Sequence, residues 1–562
     1  MNENPSLMKS AEVTGNSNDR SDDTADVAII GGGLAGLTLA IHLRQRQPDL
    51  RVHVIERRRH PVVEGAFKVG ESTVEIGAHY LADVLGLRAH LEEQHLRKFG
   101  FRFFFSDGRS DIDRCTEIGV SRVLPTPSWQ VDRGRLENFL GVHARSLGVR
   151  FDCAAVVRRI ALNDDDTGVQ PHRITYDIDG AEPRTLAVRW LVDASGRAGL
   201  LKKKLELSVA NDHHANAVWW RVEGHIDPDD WSQDAEWLAR CDPPDRWRST
   251  NHLCGPGYWV WLIPLASGAH SLGIVCDAAM HPIERMNTFD KALDWLRQHQ
   301  PRIAHVLTDG DHALQDFAFL RNYSYDCAQV FSDQRWAITG EAGCFLDPFY
   351  SPGTDFIAIA NTYIVDLIER DRQKKPFAAR AQMYQQLFSS FYENTLSLYQ
   401  GQYALFGDAH VMPLKVIWDY SYYWALLAPI CFAERLTDVA MFSRLKERFA
   451  TARALNVQMQ AMFTDWSRQR VLPPGGSQPK LLDQCRIDWF HAMNQALADL
   501  RKGDEIDALI IHNVARLTAL ADELQQAAAR DLALSAATPP VHEPAVDETA
   551  ALLTAEWYGE PA

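Results

Sequence analysis

Three glycines give the first chemical signal in this 562-residue chain. Gly31-x-Gly33-x-x-Gly36 follows the apolar run Asp26-Val-Ala-Ile-Ile30 and opens a helical stripe of Leu37, Ala40, Ile41 and Leu43. Glu56 stands twenty positions beyond Gly36, at the end of a second apolar run, Val52-His-Val-Ile55. This spacing predicts a strand–helix–strand unit that binds a dinucleotide. Gly31 permits the tight turn, Gly33 lets backbone approach a diphosphate, and Gly36 lets helix pack on strand. Leu34 and Ala35 begin the helix, whose free N–H groups and positive dipole end meet the anion. Glu56 can accept hydrogen bonds from the adenosine ribose hydroxyls.

Several further elements must position this loop. Apolar runs end at Asp193-Ala-Ser-Gly-Arg197 and at Gly340-Glu341-Ala-Gly343, so two more buried strands are expected beside the first. Residues from about 205 to 330 alternate apolar and polar positions, as in Tyr258-Trp-Val-Trp-Leu-Ile263, and predict an antiparallel sheet. From about 355 to 530 the pattern is helical, with aromatics dense between Phe388 and Trp424. The fold class expected is α/β (α+β overall). The expected division is a disordered N-terminus over 1–23 and a Rossmann-type dinucleotide-binding domain over 24–201 and 333–375. A substrate-domain sheet over 202–332, a helical region over 376–530 and a mobile tail over 531–562 complete it.

Composition sets bounds on function. A net charge of −16 argues against nucleic acid, which needs a basic surface. Nine cysteines show no Cys-x-x-Cys pair and no metal-ligand spacing with histidine, so reduced thiols in a cytoplasmic protein and no metal are expected. The stretch Tyr420 to Phe432 is too short to span a membrane and is interrupted by Pro429, which reads as a buried or interfacial helix. His213 and His214 read as surface residues, and the aromatics from Phe391 to Trp424 as helix–helix core, with the lining of a hydrophobic substrate site as the alternative.

Three further strings narrow the chemistry. Together with the Gly31 loop, the runs at Asp193 and Glu341 resemble the dispersed FAD contacts of the flavin monooxygenase superfamily. Gln130-Val-Asp-Arg-Gly-Arg-Leu-Glu137 resembles its helix that places an arginine, here Arg135, near the flavin. Trp259-x-Trp261-x-Ile263-Pro264 resembles the tunnel-wall motif of flavin-dependent halogenases, in the tryptophan-halogenase-like branch of that superfamily. Gly70-Glu71-Ser72-Thr73 resembles their flavin strap, and Phe345-Leu-Asp-Pro-Phe-Tyr-Ser-Pro-Gly353 their flavin- and halide-contacting loop. The resemblance covers roughly residues 26 to 375. It implies FAD, used as FADH2 with O2 and chloride or bromide, and a flavin hydroperoxide that yields hypohalous acid. That oxidant would pass to a lysine, which Arg97-Lys98-Phe-Gly-Phe-Arg102-Phe103 identifies as Lys98.

Two departures shape the expectation. Tyr350, followed by Ser351, stands where tryptophan halogenases carry a glutamate, which points to a phenolic or similarly electron-rich ring, free or carrier-bound. Pro352 removes a backbone N–H from the expected halide site and leaves Gly353 as its donor. With one dinucleotide fingerprint, FADH2 is expected from a separate reductase. The alternatives are an FAD-dependent aromatic hydroxylase, or a catalytically degenerate flavoprotein scaffold.

Overall fold

A computed structural model describes residues 23–64, 69–163, 171–241, 243–470 and 481–537. The strand Asp23–Ile30 is buried at every position from Val27 on and pairs in parallel with Val52–Ile55 and Arg184–Asp193. Continuous burial is what a strand covered on both faces requires. Arg150–Asp152 extends the sheet on one side, and Trp336–Ile338 adds in parallel to Arg184–Asp193. His172–Ile178 and Ala155–Ala161 complete its seven strands as an antiparallel edge. Helix Leu34–Arg46 packs on the first strands, and Arg133–Ser146 and Gly353–Arg372 pack against it. The Rossmann-type reading thus matches the α/β fold observed.

The second sheet has eight strands and departs from the expected boundaries. Leu314–Leu320, Ala215–Glu223, Ala269–Asp277, Tyr258–Pro264 and Thr250–Gly255 lie side by side, all antiparallel. Phe101–Phe105 then adds in parallel, followed by Thr116–Gly119 and, in parallel again, Leu481–Asp483. The sheet is therefore mixed and takes strands from the first and last thirds of the chain. Its period-two alternation sorts two faces. Trp259, Trp261 and Ile263 join the large core shared with the seven-stranded sheet, whereas Tyr258, Val260 and Leu262 join a separate core with Trp295 and Leu296.

Helices close the molecule over the first face. Val411–Ala425 is buried all round, including the charged Lys415 and Asp419, and packs against Lys446–Gln469 and Asp507–Ala537. The run from Tyr420 to Phe432 forms the end of that helix and the whole of Leu427–Phe432, both largely buried. No helix among the described residues is long and apolar enough to cross a membrane. Asp507–Ala537 carries helix seven residues into the tail expected from 531. The rest of that tail, and residues 1–22, lie outside the described residues.

Candidate functional site

A cavity of about 810 Å³ opens where the Gly31 loop faces the second sheet. Gly31 has φ +111°, and a Cβ there would come within 2.2 Å of the Ala194 carbonyl oxygen. A Cβ on Gly36 would lie 2.0 Å from the Gly31 carbonyl oxygen. Neither position tolerates a side chain. At Gly33 the nearest atom a Cβ would meet is Glu137 Oε1 at 4.0 Å, so backbone is bared to the cavity there. The Leu34–Arg46 helix begins beside it with no acidic residue in its first turn and no side-chain cap. That is the cradle a diphosphate needs. Glu56 lines the same cavity, where its Oε2 accepts from the Gly32 N–H at 2.6 Å and its Oε1 from the Arg58 N–H at 2.7 Å. The residues present fit the ADP half of FAD.

Three expected contacts sit elsewhere. Arg135 does not line the cavity: its guanidinium donates to the Gln94 carbonyl at 3.2 Å and approaches Glu64 at 3.6 Å. Arg133 takes the place instead, donating to the Val69 carbonyl at 2.9 Å and to Glu137 at 3.0 Å. Asp193 is wholly buried behind the cavity, where it accepts from the Ser195 and Leu201 N–H groups at 2.9 and 2.7 Å and braces the turn. Thr73 is turned away, bonded through its hydroxyl to the Trp129 carbonyl at 2.9 Å. Glu71 and Ser72 do line the cavity, as do Glu341, Ser351, Pro352 and Gly353. Burial pushes the Glu71 carboxyl above its ordinary value, opposed by Arg221 at 2.6 Å.

Ser72 forms the partition between two compartments. One side faces the cavity, and its Oγ accepts from Lys98 Nζ at 2.9 Å on the other. Lys98 also donates to the Thr73 carbonyl at 3.2 Å, and its ammonium lies 3.2 Å from the centre of the Phe101 ring. The residue is only 3% exposed. Burial lowers its pKa to about 7, against the opposing pull of Glu75 and Asp355. Around it stand Phe101, Tyr350 and Tyr420, with ring centres 6.0–6.5 Å apart. Tyr350 belongs to this compartment and not to the cavity: its hydroxyl donates to Asp419 Oδ2 at 2.8 Å. Of the C-terminal aromatics, expected as helix packing or as the lining of a substrate site, Tyr420 packs against Phe101 and Tyr350 beside Lys98.

Trp259 and Trp261 line the cavity together with Ile263, their ring centres 5.8 Å apart. Pro264 continues the strand outside that lining. Gly273, paired opposite Trp261, makes room for the indole, since a Cβ there would come within 2.2 Å of it. The Trp259 N–H donates to the Tyr403 hydroxyl at 3.2 Å, and Asp347 Oδ2 accepts from Tyr403, from Tyr323 at 2.7 Å and from His213 at 2.8 Å. His213 is thus buried and hydrogen-bonded to Asp347, contrary to the surface position expected of it, while His214 is exposed. No sequence signal joins His213 to a carboxylate 134 positions away.

The FAD binding domain family matches residues 24–286. The chain is 27% identical over 431 residues to the flavin-dependent halogenase chlA of Dictyostelium discoideum, an alignment covering 72% of this chain and 70% of that protein. It is 26% identical to the tetracycline 7-halogenase of Kitasatospora aureofaciens, covering 61% and 63% respectively. Among solved structures, the halogenase PltM in complex with phloroglucinol and FAD matches with a TM-score of 0.60 at 17% identity, over 88% of this chain and 96% of that one. Fold, cradle and sequence likeness together define an FAD-dependent enzyme. Within that class, the curated proteins it resembles are flavin-dependent halogenases.

Proposed function

We propose that the protein halogenates a phenolic or similarly electron-rich aromatic ring beside Lys98, using FADH2 supplied by a separate reductase. The observation that carries this reading is the Lys98 ammonium, buried directly behind a serine of the cavity wall. FADH2, when bound, supplies the electrons by which O2 and halide become hypohalous acid. Lys98 has two of its N–H groups on Ser72 and Thr73, which leaves the third for the hypohalous oxygen. A donor held in a dry aromatic compartment polarises the oxygen–halogen bond more strongly than one in water. Trp259 and Trp261 narrow the wall of the flavin cavity, so the organic ring stays outside while a small oxidant passes.

Tyr350 supports the phenolic preference. Its proton is committed to Asp419, so its oxygen is left as an acceptor for a phenol O–H, and it carries no carboxylate to serve an indole. The second reading, direct hydroxylation, draws on Pro352, which lines the cavity without an N–H for halide. Incubation with a flavin reductase, bromide or chloride, and a panel of phenols with free tryptophan tests the proposal. The expected result is halogenated phenol. Oxygen gain would establish the hydroxylase instead, and mainly halotryptophan would remove the role given to Tyr350.

A further inference from the structure

Aromatic halogenation leaves one proton to be placed. When a ring carbon takes the halogen from hypohalous acid, the O–X bond breaks and the leaving oxygen takes a proton from the Lys98 ammonium to depart as water. The ring carbon then bears both hydrogen and halogen, and aromaticity returns only when a base removes that hydrogen as a proton.

The groups around Lys98 differ in their freedom to act. Asp355 has both oxygens occupied, Oδ1 by the Gly77 N–H at 2.7 Å and Oδ2 by the Tyr423 hydroxyl at 2.8 Å. Asp419 is held by Lys415, by Tyr350 and by Gln460 at 2.8 Å. His252 is tied by Nδ1 to the Thr250 carbonyl, and burial drives its pKa down to about 3, too weak a base. Glu75 is different. It is 7% exposed, and its Oε2 is buried without a hydrogen-bond partner. It opens the helix Glu75–His79 two residues after Thr73, whose carbonyl Lys98 touches. The Trp424 indole N–H, also without a partner, lies near enough to steady the carboxylate without completing a hydrogen bond. An unpaired carboxylate oxygen in a dry interior is costly and calls for an occupant. Burial raises its pKa against the attraction of Lys98, which makes it a better base than a solvated glutamate.

Resting on the halogenase reading, we propose that Glu75 is the catalytic base that takes the ring proton and returns it to the Lys98 amine. Glu75 Oε2 forms the new O–H bond, the C–H electron pair returns to the ring, and transfer to Lys98 restores both groups. The net change is ArH and HOX to ArX and water. A carboxylate from the segment after the strap thus serves the ring that the Tyr350 loop leaves without one.

The test uses the full-length FAD enzyme with a flavin reductase, bromide, and a phenol carrying deuterium at the halogenated carbon. In wild type, product formation should show an isotope effect near unity. In Glu75→Gln, product per flavin reoxidised should fall by about a hundredfold, the scale of a general base. The isotope effect should rise clearly above unity, because proton removal then limits the rate. Glu75→Asp should recover part of the yield with an intermediate isotope effect, and bound FAD is measured in both variants to exclude misfolding. Should the glutamine variant fail to hold FAD, the aspartate variant decides, and an unshifted isotope effect there overturns the proposal. Full yield with no isotope effect in Glu75→Gln overturns it as well. Absence of halogenated product from wild type would instead overturn the parent reading.

Discussion

The flavin cavity and the Lys98 compartment share the wall made by Ser72 but are built on opposite plans. The cavity is bared backbone: Gly31, Gly33 and the starts of two helices, with about 810 Å³ left open. The compartment is packed side chain, with Lys98, Glu75 and Asp355 buried among Phe101, Tyr350, Tyr420 and Trp424. A diphosphate is recognised by N–H groups and dipole, which short contiguous sequence can supply. Ring recognition and proton transfer need side chains from distant segments. The first compartment fits a constant ligand, and on the reading proposed above the second sets the choice of substrate.

Disturbing the backbone plan should have the largest effect. Gly31→Val forces a Cβ against the Ala194 carbonyl at a φ of +111°, so bound FAD should be lost altogether and unfolding made easier by several kcal/mol, about the scale of backbone strain plus overlap. Flavin absorbance of the purified variant and its thermal midpoint give the answer. Retained FAD would mean that the loop yields where the geometry says it cannot.

The same contrast explains what the sequence made legible. Gly31, Gly33, Gly36 and Glu56 lie in or beside one strand–helix–strand unit, so their placement can be read from their spacing. Arg135 was misplaced because residues two apart on a helix point about 200° apart. The arginine on the cavity side is therefore Arg133, at the first position of Arg133–Ser146. Leu481–Asp483 joins the second sheet as three residues, too few for any periodicity to show. His213 and Glu75 depend on partners brought together only by tertiary folding, and neither lies in a repeating pattern.

Replacing Lys98 by Met should reduce halogenated product by about a hundredfold or more, the scale of a lost electrostatic donor. FAD should still bind, because Lys98 stands outside the cavity lining. Product mass against flavin reoxidation separates the two compartments, and a matching loss of bound FAD would merge them.

Titration sharpens this result. If the ammonium is the donor, product per flavin should fall about tenfold per pH unit above about 7, where burial places the Lys98 pKa, with Glu75 and Asp355 facing it. A rise with pH would favour the neutral amine as a haloamine-forming nucleophile. Stability should carry the opposite sign from Lys98. Its folded pKa lies below the ordinary 10.5, so the unfolded chain binds more protons between about 7 and 10.5, and stability rises across that window. Asp355, pushed up by burial to about 8 from 3.8, works against this below pH 8, where the folded chain holds the extra proton. Denaturant titrations of wild type and Lys98→Met would show the lysine contribution as the part that disappears.

The smallest effect is expected at the boundary between the compartments, at Pro352. Pro352 caps the helix Gly353–Arg372 and lines the flavin cavity, and its carbonyl already accepts from the Phe356 N–H at 3.1 Å. The N–H groups of Gly353 and Thr354 open the helix, and a Cβ on Gly353 would meet nothing within 4 Å, so the helix end is open to an anion. A halide there lacks the donor that any residue but proline would add at 352. A hydrogen bond to a charged partner is worth roughly 1.5–3 kcal/mol, or about one to two powers of ten in affinity. Part of this is offset, since proline stiffens a turn whose preceding residue, Ser351, holds φ at +52°. Pro352→Thr should therefore tighten apparent halide affinity by about tenfold. The gain should be larger for chloride, which gives up its water less readily and depends more on a complete donor set. Product yield against halide concentration, for both anions and both proteins, measures it. Tight chloride saturation in wild type, unchanged in the variant, would show that the helix end alone suffices and that the proline costs the site nothing.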